Sequence, residues 1–251
     1  MNYTDLHILY EDNHLIAAIK PAGILAQADD SDTPDMLTLL KQYIKDKYNK
    51  PGDVWLGLVH RLDQPVSGVM VFARTSKAAA RLSAQIREHT VGKHYLAVVS
   101  GQDIPDHDQL EDILAKDDKT GKVSVVSASG HNIKNAKKAV LRYQKLKSAQ
   151  YKGRDLALLD IDLGSGRAHQ IRVQLASRGW PIIGDARYGK LDSWSRQLPL
   201  TRSRDDNGKE HADLALFCQS MAIIHPISKQ PLIISDDLPE GFPWDQFLNN
   251  D

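Results

Sequence analysis

The 251-residue chain has one cysteine, Cys218. A single thiol rules out an internal disulfide framework and a multi-cysteine zinc site, and it points to a reducing compartment. Its neighbours Leu216 and Phe217 mark it as a small core residue. Net charge is missing too: Lys plus Arg and Asp plus Glu are both 32, so the overall balance announces no polyanionic partner. No run approaches the roughly 18 apolar residues of a membrane span, and the opening MNYTDLHILYEDN carries acids where a signal peptide has an apolar core. The expectation is a cytoplasmic protein with no membrane partner. Internal repeats are absent. Gly164-Ser165-Gly166 starts like a dinucleotide fingerprint, but His169 stands at the third glycine position, so it reads as a strand-to-helix turn.

What is present suits a globular fold. A hydrophobic content of 41% supports a sizeable core, and the length fits one catalytic domain over 1–251 with room for two lobes. Short apolar or alternating runs predict strands at 6–10, 15–19, 69–73, 95–100, 122–127, 139–146, 156–163, 214–224 and 232–234. Turn residues such as Glu11-Asp12-Asn13-His14 separate them, so the pairing is expected to be mostly antiparallel. Helices are fewer. Thr33 caps one that opens on Pro34 and runs to about residue 48, Ser76 caps one over 77–88, and a third runs from Gly166 to Gly179. The class is α+β. The polar stretch 192–213 reads as a long mobile loop.

Chemistry concentrates in a few segments. Residues 59–75 read VHRLDQPVSGVMVFART, which sets the anion Asp63 at the entrance of an apolar strand, as turn former or as reagent. In the third helix a rotation of about 100° per residue brings Arg172 onto the stripe of Ala168, Ile171, Leu175 and Ala176, and sends Gln170, Gln174 and Ser177 to the solvated side. An inward guanidinium needs an anion, because an unpaired buried charge loses its hydration for nothing. Asp63 is the candidate partner, and snorkelling of Arg172 along its stem is the alternative. Asp160 and Asp162 alternate on a strand without the acidic or histidine company of a metal site. Beside Ser67 and Asp63, His60 suggests a hydrolytic triad, but no G-x-S-x-G elbow exists, so it reads as a structural histidine. Between Asp118 and Asp155 no acid occurs while cations accumulate, among them Lys134, Lys137, Lys138, Arg142, Lys145, Lys147, Lys152 and Arg154, which reads as a face for a polyanion or as a solvated lysine-rich hairpin.

The segments LHILYEDNHLIAAIKPAGI, HRLDQPVSG, KHYLAVVSG and GRAHQIRVQLASRGWPIIGDARYG, in this order, resemble the RNA pseudouridine synthases of the RluA class over about residues 6–238. The resemblance implies a mixed, largely antiparallel central sheet with flanking helices and an active-site cleft, and isomerisation of uridine in structured RNA, rRNA or tRNA, without cofactor or metal. By the same resemblance Asp63 is the essential aspartate, Arg61 enters the RNA helix where the target base leaves, Tyr95 stacks on the uracil, and Arg172 is the basic partner of the aspartate. Lys20 either lines the cleft against RNA, as the family match favours, or simply ends a strand, and the acid-free block adds Lys137, Lys138 and Lys145 as expected RNA contacts. Val66 stands where the family has threonine and Gln174 where it has histidine, departures expected to alter architecture or RNA preference. A small amino-terminal RNA-binding domain is not expected, and the protein is expected to be a monomer. The competing functions are a catalytically silent RNA-binding module and a metal-dependent phosphodiesterase using Asp160 and Asp162.

Overall fold

The computed structural model describes residues 2–29, 33–127, 135–189, 192–204 and 210–248. In chain order the first elements are β1 (Ile8–Glu11), β2 (Leu15–Lys20), α1 (Met36–Lys47), β3 (Gly57–Leu58), β4 (Ser67–Ala73), α2 (Ser76–Arg87) and β5 (Gly92–Ser100). There follow β6 (His107–Lys116), β7 (Val123–Val126), β8 (Lys137–Tyr151), β9 (Arg154–Asp162) and α3 (Gln170–Ser177). The last are α4 (Ser193–Arg196), β10 (Arg202–Arg204), β11 (Glu210–Ala212), β12 (Leu216–Ile224) and β13 (Pro231–Ser235).

The chain divides into two compact units. The first holds 1–93, 202–213 and 217–237, and the second holds 94–201, 214–216 and 238–251. In the first, β2 pairs antiparallel with β1 on one side and β4 on the other, while β4 pairs parallel with β12 through Ser67–Phe217 and Gly68–Cys218. The β1–β2 turn forms because Asp12 Oδ1 accepts the N–H groups of His14 and Leu15, both at 2.7 Å. β2 and β4 are buried on both faces, which is why they read as unbroken apolar runs. In the second unit the antiparallel order is β5-β9-β8-β6-β7. Lys152 and Gly153, both at positive φ, close the β8–β9 hairpin.

Several expectations shift. α1 starts at Met36 rather than Pro34, because Leu25 bridges to Asp35 and holds that stretch extended; Asp35 is the cap, accepting from the N–H of Thr38 at 3.0 Å. α2 is capped by Thr75 instead of Ser76. β6 was not foreseen at all, since charged residues fill its exposed positions and hide the alternation. The predicted loop over 192–213 contains α4 and the ribbon β10–β11, and its residues 205–209 lie outside those described. Cys218 is indeed a buried core residue.

Candidate active site

Asp63 sits between β3 and β4, flanked by exposed Arg61 and buried Leu62 on one side and a turn on the other, in which the N–H of Val66 donates to the Asp63 carbonyl at 3.0 Å. The turn is fastened from below. Lys20, at the end of β2, is 0% exposed and donates from Nζ to the carbonyls of Pro21 (2.9 Å), Ile24 (2.7 Å) and Gln64 (3.0 Å). Gln64 and Gly23 add a reciprocal pair: the Gly23 N–H donates to Gln64 O at 2.9 Å, and Gln64 Nε2 to Gly23 O at 3.2 Å. This corrects the expected RNA contact of Lys20. An ammonium has three protons, all three have protein acceptors here, and none is exposed to a phosphate. Burial pushes Lys20 down to about 7, opposed by the negative charges of Asp63 and Asp213. Burial in turn raises Asp213, with Lys20 opposing.

Two neighbours explain other letters of the motif. Gly68 has φ +127, and a Cβ there would run into the backbone of Cys218, so the parallel β4–β12 pairing leaves room for glycine alone. His60 accepts the N–H of Val71 on Nε2 at 2.9 Å, and burial pushes its pKa down to about 3, as befits a structural histidine.

In the second unit Tyr95 lies on β5 opposite Ile161 of β9, and is 7% exposed. Arg172 faces inward, as its place on the helical stripe requires. The anion set against it in fork geometry is Asp185, which the sequence reading had not singled out. Arg172 Nε donates to Asp185 Oδ2 and Nη2 to Oδ1, both at 2.8 Å, with the two side chains 7% and 1% exposed. The expected solvated face of α3 is corrected for its two glutamines, whereas Ser177 is exposed as expected. The helix starts at Gln170, after His169 in the left-handed region at φ 52, and both glutamines are buried. Gln170 Oε1 accepts from Ser165 Oγ at 2.8 Å and Gln174 Nε2 donates to Asp112 at 2.7 Å, so this short helix, packed on β6 and β7, buries both amides against polar partners, with Gln174 Oε1 left without one.

The cationic block is largely compensated. Lys138 pairs with Glu111 at 2.7 Å, Lys145 with Asp106 at 2.9 Å, and Arg142 lies 3.9 Å from Asp162. Those acids come from β9, from β6 and from the residue just before β6, the strand the sequence concealed, so an excess along the chain is not an excess in space. Lys137 is exposed, and Lys134 lies outside the described residues. Asp160 faces His94 at 3.4 Å, and among the described residues no group of three His, Cys, Asp or Glu could hold a metal ion. Among them, too, no helix is long and apolar enough to cross a membrane.

A family model described as RNA pseudouridylate synthase matches residues 14–177, a span that enters both compact units. The chain is 30% identical over 256 residues to tRNA pseudouridine synthase C of Salmonella typhi, covering 97% of this chain and 88% of that one. It is 32% identical to ribosomal large subunit pseudouridine synthase D of Nitrosomonas europaea over 94% of this chain and 62% of that one. The solved structure of human RNA pseudouridylate synthase domain containing 1 superposes with a TM-score of 0.72 over 94% of this chain and 85% of that one, at 18% identity, a likeness of fold alone. The chain belongs to the RNA pseudouridine synthases, in the RluA class. It is an isomerase that converts uridine in RNA to pseudouridine.

Sequence reasoning missed Asp185 and Tyr188. The available signal was the demand of Arg172 for an anion, with an acid standing 13 residues further on in the same quoted segment.

Proposed function

We propose that Asp63 is the reacting carboxylate, attacking C1′ of the target ribose or removing a proton from the sugar while the glycosidic bond breaks and the uracil turns to offer C5. Tyr95 stacks on the detached base, Arg172 holds the charge balance of the site, and Arg61 fills the gap left by the extruded nucleotide, whose unstacking costs a few kcal/mol. The substrates are uridines in structured tRNA or rRNA, the RNAs for which the relatives are named. Residues 1–251 act as one catalytic domain, as a monomer in the cytoplasm, with Lys137 as a backbone contact. Nothing is consumed in the isomerisation, so no cofactor enters.

The observation that carries this reading is the fastening of the Asp63 turn: a partly exposed carboxylate stands on a loop locked to β2 by a wholly buried ammonium. The test is Asp63→Asn assayed on tRNA and rRNA transcripts by chemical mapping of pseudouridine. Turnover should fall by about 10²–10⁴-fold or more, the range a positioned acid or base supplies, with RNA affinity nearly unchanged. Appreciable turnover by Asp63→Asn would remove Asp63 from the chemistry.

A further inference from the structure

Arg172 is immobilised from more directions than a stabilising ion pair needs. Its Nε and Nη2 edge lies against Asp185, whose carboxylate also accepts the backbone N–H groups of Arg187 (3.0 Å) and Tyr188 (3.1 Å) on Oδ1. Asp185 is therefore anchored to its own backbone before it meets the arginine. The guanidinium carbon stands 5.1 Å from the ring centroid of Tyr188, so the aromatic covers its face. The Tyr188 hydroxyl lies between the N–H of Val123 at 3.1 Å and His169 Nδ1 at 2.6 Å. His169 is the left-handed residue immediately before α3, a conformation a non-glycine side chain keeps only when its surroundings hold it. One tyrosine thus covers the guanidinium and pins the turn from which its helix starts.

A buried ion pair by itself is weak support for a fold, since two apolar side chains of similar volume serve as well or better. What the fork, the ring and the pinned helix start supply together is orientation. We infer that Asp185 and Tyr188 are positioning residues for the isomerisation, acting through Arg172 by fixing the roll and reach of its guanidinium before RNA binds. This rests on the reading of Arg172 as part of the reacting site. Neither residue touches substrate; their effect is preorganisation, where displacement of a group by about 1 Å costs on the order of 10²-fold in rate.

The test is a double-mutant cycle on single-turnover rate at saturating RNA, with RNA affinity and thermal unfolding measured on each protein. Asp185→Asn should slow the step about 100-fold while the Kd for RNA stays within about threefold, the precision expected of independent effects. Arg172→Lys should be slow alone, yet in the Asp185→Asn background should add less than about threefold, because the fork it disrupts is already gone. Multiplying effects, a wild-type rate for Asp185→Asn, or a Kd that worsens as much as the rate would overturn the inference. If Asp185→Asn does not fold, Tyr188→Phe and Tyr188→Leu decide: the rate should fall modestly with loss of the hydroxyl and further with loss of the ring, and equal wild-type rates for both refute the role. Asp63→Asn is run alongside. A silent Asp185→Asn beside a dead Asp63→Asn defeats only this inference, whereas an active Asp63→Asn defeats the site reading on which it rests.

Discussion

Lys20→Met replaces a buried ammonium with a side chain of similar length and no donors. Of the three carbonyls it serves, Gln64 O keeps the N–H of Gly23, while those of Pro21 and Ile24 lose the ammonium. A buried acceptor left without its partner costs about 1–3 kcal/mol, so the two together cost about 2–6 kcal/mol, reduced because the variant no longer desolvates a charge. A net loss of about 2–4 kcal/mol corresponds to a fall in Tm of about 5–15 °C for a chain of this size. The pH dependence has a definite sign. Lys20 titrates at about 7 in the fold and near 10.5 unfolded. Between those values the unfolded chain binds the extra proton, so this group makes the wild type more stable as pH rises; below about 7 both states carry the proton and the gain is absent. Urea unfolding at about pH 6 and about pH 9 should show a larger rise in the wild type than in Lys20→Met, which keeps the smaller contribution of Lys93, itself lowered by burial. With the turn loosened, single-turnover isomerisation should also slow at temperatures where the variant is still folded. A variant within about 0.5 kcal/mol of wild type at both pH values, the size of an ordinary surface change, would show that Lys20 does not hold the Asp63 turn.

Tyr95→Phe keeps an aromatic face and loses a hydroxyl, and should bind RNA normally while forming product much more slowly; wild-type kinetics would show the hydroxyl to be irrelevant. Lys137→Gln should lower the log–log salt slope of RNA binding by about 0.7–0.9, the value of one phosphate contact, with kcat little changed, whereas neutralising Lys138 or Lys145 should change it less because each already faces an acid. Equal slopes for all three variants would reject the compensated-block account. Gly68→Ala should destabilise by about 3 kcal/mol or more, from a backbone conformation closed to L side chains and a Cβ driven into Cys218, and a thermal scan within about 2 °C of wild type would refute that geometry.

Much of the fold was legible because its signals are local. β2 and β4 announce themselves as apolar runs and the β1–β2 turn as a cluster of turn formers. The errors share a cause. β6 carries acids at its exposed positions because β8 opposite carries cations, and an alternation built on charge pairs across strands is invisible until the partner strand is known. The caps Asp35 and Thr75 lie within two residues of the predicted ones, but which candidate caps was decided by the Leu25–Asp35 bridge and by where β4 ends. Gln170 and Gln174 read as solvent-facing on any wheel, since no wheel contains the carbonyls of Val140 and Leu110 that receive them.

The site was legible to a different depth. Spacing left two readings of Arg172, an inward guanidinium that needs an anion and a stem that snorkels, and the burial of the side chain decides for the first; that Asp185 lies in its fork is not read from spacing. Asp185 is pre-anchored by two backbone N–H groups of the turn it begins, a property of coordinates. Lys20 shows the converse error. The family match favoured a place in the cleft over a strand end, yet backbone carbonyls, which every residue possesses and no sequence locates, take all of its protons. A motif in this chain therefore mixes two kinds of residue, those offered to the RNA and those that hold them in place, and side-chain type does not tell them apart. For Lys20 and Asp185 the hydrogen bonds they make inside the protein place them in the second kind, with Asp185→Asn and Lys20→Met as the variants that weigh it.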